Sequence, residues 1–248
     1  MKDRPILIVH PNDKSTSFLN KIKNHLIQRF GNEIHHFNIY PREDSHLQCL
    51  ERIKIHSDSG LIIFLGHGRT TRLYGSKGDQ YDNIDLVSPD AIAESPEKYF
   101  NNDNFIHEDN VDVFSGKKIF CLACNSNNRI AKNAIEKGAT TFFGFGNIPS
   151  SKPEFADDGQ RDISNDLVKL FKTEVNYIIK KSLEISIEKG YSFNQLHDIL
   201  NFITNQRIVN YLRIDKSSKE RYTLTDYLYR LKSEMKVFGD GKAKVLGQ

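Results

Sequence analysis

The stretch GLIIFLGHG, residues 60–68, decides how the chain reads. Five consecutive apolar residues, Leu61 to Leu65, stand between glycines. Short apolar runs of this kind are strands buried on both faces, and such strands belong to parallel sheets covered by helices on both sides. A second run of the same character, KKIFCLAC at 117–124, follows downstream. Each run ends in a reactive residue: His67 between Gly66 and Gly68, and Cys124 before Asn125 and Ser126. In open parallel sheets, sites form at the carboxyl ends of strands, so adjacent parallel strands would bring His67 and Cys124 out side by side.

Outward from this pair, strand and helix signals alternate. Ile6–Val9 is a short first strand stopped by Pro11. Thr16–Phe30 has apolar residues at helical spacing, with Ser15 or Thr16 as a cap and Gly31 at its end. Glu33–Tyr40 reads as a strand and Ser45–His56 as a short helix. Asn127–Lys137 reads as a helix ended by Gly138, and Ala139–Phe145 as a further strand. Residues 69–116 form a polar insert, with Arg72–Gly75 and Ile84–Val87 as short strands. Its few apolar anchors mark it as among the least stable parts of the domain. After Pro153, Ile163–Ser186, Phe193–Leu212 and Thr223–Phe238 read as helices, and the final GDGKAKVLGQ as a frayed end. The expected division is a core over 1–155 carrying the insert 69–116, and a helical region over 156–248 packed on it.

Composition excludes several classes. With 38% hydrophobic and 27% charged residues in 248, the chain is neither collagenous nor mostly disordered. No apolar run approaches the roughly 20 residues of a membrane helix, so no membrane partner is expected. A net charge of +3 from 35 basic and 32 acidic residues is not a nucleic-acid footprint. Lys and Arg outnumber Asp and Glu by nine to five from Arg213 onward, which fits a solvated helix face or a partner site. Three cysteines make no disulfide framework, and Ile6–Val9 is too short for a signal-peptide core, so the reducing cytoplasm is the expected compartment.

A thiol within reach of an imidazole can be held as thiolate, and the imidazole can later protonate a leaving amine. The backbone N–H of Gly68, with that of Cys124, can form an oxyanion hole. Cys121 and Cys124 form a CxxC. A second CxxC or HxxxH is absent, so no metal is expected, and Cys121 lies inside the strand rather than opening a helix, against disulfide exchange. No cofactor is expected. A flavodoxin-like domain binding a small ligand would share the strand order, but it leaves His67 and Cys124 without a role.

The segments LIIFLGHG (61–68) and IFCLACNSNNRIAKNAIEKGATTFFGFG (119–146) resemble the caspase-like cysteine peptidases, most closely their CHAT branch. The resemblance rests on His-Gly after one strand, a small residue and Cys ending the next, then a helix, Gly138-Ala139 and a strand. It implies a caspase-like three-layer α/β/α sandwich with a mostly parallel sheet and a helical C-terminal extension. It implies His67 as general base and acid, Cys124 as nucleophile and Gly68 N–H as oxyanion donor. It places Leu122, two residues before the cysteine, in the pocket for the substrate residue preceding the scissile bond. Asp157 and Asp158 are candidates to supply charge there, with helix capping as the other reading. The implied activity is that of a thiol endopeptidase acting on a protein substrate. It would serve a regulated bacterial-type defence or signalling system under a regulatory protein partner. The alternative is a catalytically silent scaffold that binds partners through its insert and tail.

Overall fold

Buried β-branched and aromatic runs need partners on both sides, and here they supply each other's. The computed structural model describes residues 4–160, 162–214 and 220–247. In chain order β1 (Ile6–Pro11) leads to α1 (Asn20–Phe30), β2 (Ile34–Ile39), α2 (Glu43–Lys54) and β3 (Leu61–Leu65). The insert holds a hairpin, β4 (Gly68–Arg69) and β5 (Arg72–Leu73), and two short helices, α3 (Pro89–Glu94) and α4 (Pro96–Tyr99). Then come β6 (Lys118–Leu122), α5 (Arg129–Glu136), β7 (Thr141–Gly144) and α6 (Lys152–Asp157). Three long helices, α7 (Asn165–Glu188), α8 (Phe193–Ile214) and α9 (Glu220–Ser233), precede β8 (Lys236–Gly239).

The main sheet runs β2-β1-β3-β6-β7-β8, parallel except for β8, which pairs antiparallel with β7. Alternate side chains of each strand feed opposite cores. Ile8, Ile63, Phe120 and Phe143 join the core shared with α1, α7, α8 and α9. Leu7, Ile62, Ile119 and Phe142 join the core shared with α2, α5 and the insert. The protein is therefore α/β, with a mostly parallel sheet between helical layers. Among the described residues no helix is long and apolar enough to cross a membrane. Phe155 of α6 packs edge-on against Phe171 (5.7 Å) and Tyr227 (4.6 Å), so residues on both sides of position 156 share one core.

Three expectations are corrected. Ile84–Val87 is not a strand: Tyr81–Leu86 is a 3-10 helix, and Leu86 is exposed, with no buried face to offer a neighbouring strand. The expected last helix stops at Ser233, and Lys236–Gly239 becomes the edge strand β8. The chain after it is not frayed: Val245 is fully buried, its N–H donates to Tyr191 O (2.7 Å), and Lys118 Nζ donates to Lys244 O (2.9 Å).

The insert, too, has more anchors than expected. Leu73, Phe105, Ile106, Val111 and Phe114 are all in the core. His46 of α2 clamps its middle. The ring lies against Phe100 and Phe105, Nδ1–H donates to Arg42 O (2.8 Å), and Nε2 accepts the Ser76 N–H (3.0 Å). Gly75 is required here, because an added Cβ would lie 2.1 Å from His46 Nε2.

Burial lowers the pKa of His46, and likewise of His10, below the ordinary 6.5. Both rings are thus neutral when folded and protonate more readily unfolded. Their contribution to stability is full above about pH 6.5 and is lost as pH falls below it. We expect the melting temperature to drop between about pH 7.5 and about pH 5.5, and less steeply in His46→Asn. A pH-independent wild-type midpoint over that window would contradict this.

Candidate active site

The register of two central strands builds the site. β3 and β6 are parallel neighbours, and Leu65 pairs with Leu122. His67 and Cys124 therefore stand at equivalent positions, each two residues beyond the last pair. The Gly66 N–H donates to Leu122 O (3.2 Å) and carries the contact one residue further. His67 and Cys124 line one recess together with Leu122, Phe18, Ile148 and Ser150. From β1 the chain passes to β2 on one side, whereas from β3 it goes on to β6 on the other, and such a reversal opens a crevice at the carboxyl ends of β1 and β3. The loop after β1 brings Asp13 and Ser15 to the same edge.

The turn that presents Cys124 is held by its neighbours. Asn125 adopts φ +54°, a left-handed conformation that Asn tolerates better than most residues. Its N–H donates to Gly146 O (2.9 Å). Buried Ser126 donates its hydroxyl to Cys121 O (2.9 Å) and accepts the Phe145 N–H (2.9 Å). The strand is thereby stopped and Cys124 is left partly exposed. Gly68 packs against this turn: a Cβ there would lie 3.1 Å from Ala123 Cβ and 3.2 Å from Cys124 O.

Cys124 is held as a thiol. Its S–H donates to Ile148 O (3.4 Å). Burial is the main cause that pushes its pKa up to about 11, and the charge of Glu154 makes a smaller contribution in the same direction. The His67 ring is engaged by the loop after β1, with Nε2 2.6 Å from Ser15 Oγ and 3.9 Å from Asp13 Oδ1. Its carbonyl accepts the Tyr74 N–H (3.0 Å) from the segment just after β5.

The expected site residues divide in two. His67, Cys124 and Leu122 come together in the recess, and Gly68 borders it. Asp157 and Asp158 do not: Asp157 is exposed at the end of α6, and Asp158 pairs with Arg230 of α9 at 2.8 Å. The carboxylate that acts on Cys124 is Glu154, nearly one turn earlier, which accepts the Ser150 N–H (2.6 Å). Sequence reading also passed over Asp13 and Ser15. Neither Ser15 nor Thr16 serves as the expected side-chain cap; Thr16 Oγ1 instead donates to Pro11 O (3.0 Å). Applying the strand-end rule to β1 would have drawn attention to this loop.

Cys121 and Cys49 are buried in the core on the other side of the sheet, and burial raises both thiols. Among the described residues no group of three or more His, Cys, Asp or Glu is arranged to hold a metal ion. Comparison with known proteins adds no family: no family model matches the sequence, and no curated protein and no solved structure matches it.

Iodoacetamide should alkylate Cys124 slowly at neutral pH, with a rate that climbs about tenfold per pH unit to about pH 9.5 without levelling off. Glu154→Gln should react faster at each pH, because it removes a negative charge that opposes the thiolate. Cys49 and Cys121 should stay unmodified in the folded protein. A wild-type plateau near pH 7 would contradict the resting thiol.

Proposed function

We propose that the protein is a caspase-like cysteine endopeptidase working through a His67–Cys124 dyad. The observation that carries this reading is the equivalent placement of the two residues beyond paired parallel strands, opening into one recess. The resemblance of residues 61–68 and 119–146 to the CHAT branch supports it. In this reading the Cys124 proton passes to His67 and the thiolate attacks the substrate carbonyl. The oxyanion is met by the Gly68 N–H, and the imidazolium protonates the leaving amine. Water then releases the acyl group. Leu122 gives the pocket wall an apolar surface, and no cofactor is needed.

Cys124 rests on Ile148 O as a raised thiol, so turnover requires the sulfur to leave that carbonyl. This suits a regulated enzyme whose basal reaction is slow and speeds up when a partner protein shifts the 146–151 segment, in a bacterial-type defence or signalling setting. The same observation favours a second reading, a catalytically silent scaffold binding partners through its surface.

A peptidyl acyloxymethyl ketone, which needs both an attacking sulfur and peptide binding, separates the two. The peptidase reading expects labelling of Cys124 that disappears in Cys124→Ala. In His67→Ala it should fall by several orders of magnitude, on the order of the 10³–10⁶ seen when such pairs are broken. Both variants should keep the wild-type circular dichroism. Labelling that is unchanged in His67→Ala would overturn the dyad.

A further inference from the structure

The loop after β1 contains a hydrogen-bond chain that the dyad alone does not require. Asp13 is almost fully buried, with its side chain only 4% exposed. Its Oδ1 accepts both the Thr16 N–H (2.9 Å) and the Ser15 hydroxyl. Its Oδ2 is buried and takes no hydrogen bond among the described residues. Ser15 Oγ is at the same time 2.6 Å from His67 Nε2.

Counting protons fixes the direction of this chain. A serine hydroxyl has one hydrogen, and a carboxylate oxygen only accepts. The Ser15 hydrogen is spent on Asp13, so the contact to His67 must be made by an Nε2–H donating to Ser15 Oγ. A neutral imidazole carries one N–H, which leaves Nδ1 bare. His10, near the end of β1, does not compete for Asp13. Its Nδ1 lies 2.7 Å from Leu65 O, which can only accept, so the His10 proton is there and its Nε2 has nothing to donate.

We infer that Asp13, acting through Ser15, is a positioning residue that holds His67 in the Nε2–H tautomer, so that Nδ1 is the atom that takes the Cys124 proton. This rests on the peptidase reading for the role of Nδ1 and stands apart from it for the tautomer. In the proton transfer, the S–H bond of Cys124 breaks, an Nδ1–H bond forms, and the Nε2–H stays on Ser15. The resulting imidazolium lies beside the Asp13 carboxylate, whose Oδ1 is 3.9 Å from Nε2. A carboxylate placed behind a catalytic histidine in this way fixes ring orientation and steadies the charge without itself taking the proton.

The tautomer can be read directly by long-range nitrogen–proton correlation in protein labelled with ¹⁵N-histidine. The His67 signals are those missing from His67→Gln. The wild type should show a protonated Nε2 and a bare Nδ1. Ser15→Ala, at an exposed position, and Asp13→Asn should each show a mixture of tautomers, and Ser15→Thr, which keeps the hydroxyl, should restore the wild-type pattern. Labelling of Cys124 by the peptidyl ketone should fall at least about tenfold in Ser15→Ala and recover in Ser15→Thr. A wild-type His67 protonated on Nδ1, or a Ser15→Ala protein with unchanged tautomer and labelling, overturns the inference. The expected tautomer pattern with no labelling of the wild type upholds the chain of hydrogen bonds and sinks the peptidase reading instead.

Discussion

Everything in the site hangs on the pairing of β3 with β6. These are central strands with both faces buried, and a slip of one residue would turn every side chain of one strand to the wrong core. A slip of β6 would force Phe120 into the core that holds Phe64, and a slip of β3 would do the reverse. The register is therefore fixed by packing, far more strongly than any contact within the site could fix it. His67 and Cys124 inherit their mutual position from that packing, which leaves the exposed ends free to carry residues chosen for chemistry.

The site built on this frame is at rest. Three features keep it so: a sulfur turned toward the Ile148 carbonyl, a carboxylate at Glu154 that disfavours the thiolate, and partial burial that penalises the charged form. The imidazole is already oriented by Ser15. In the proposed peptidase, one half of the machinery is thus prepared and the other withheld. The 146–151 segment, which supplies both Ile148 and Ser150 to the recess, lies between β7 and α6, where a modest shift need not disturb the sheet.

Most of the sheet was legible in the sequence, because apolar runs such as LIIFL and KIFCL have no other stable fate in a chain of this size. The edge strand was not. Met235 and Phe238 continue the apolar spacing of α9, and nothing local distinguishes a helix that goes on from one that stops at Ser233 and pairs instead. The anchors of the insert were hidden for a related reason. Leu73, Phe105, Val111 and Phe114 are scattered through polar sequence without a period, and only the tertiary fold gathers them. In the site, strand ends pointed to His67 and Cys124. Asp13 and Ser15 were obscured because Asp and Ser before a helix have a sufficient explanation as caps. Asp157 and Asp158 drew attention by being paired charges, whereas helical phase decides which acidic residue of α6 looks inward, and that residue is Glu154.

The late edge strand bears on how the chain comes to be folded during synthesis. β7 is made long before its partner β8, with the whole of α7 to α9 between them. Until Lys236–Gly239 have left the ribosome, the outer edge of β7 offers unsatisfied backbone groups to any extended segment nearby. The earlier strands can pair in order as they emerge, but the sheet has no finished border until this last segment docks. A nascent or prematurely ended chain is then a sheet open at the edge next to β6, the strand that ends at Cys124, with backbone groups exposed to mispairing.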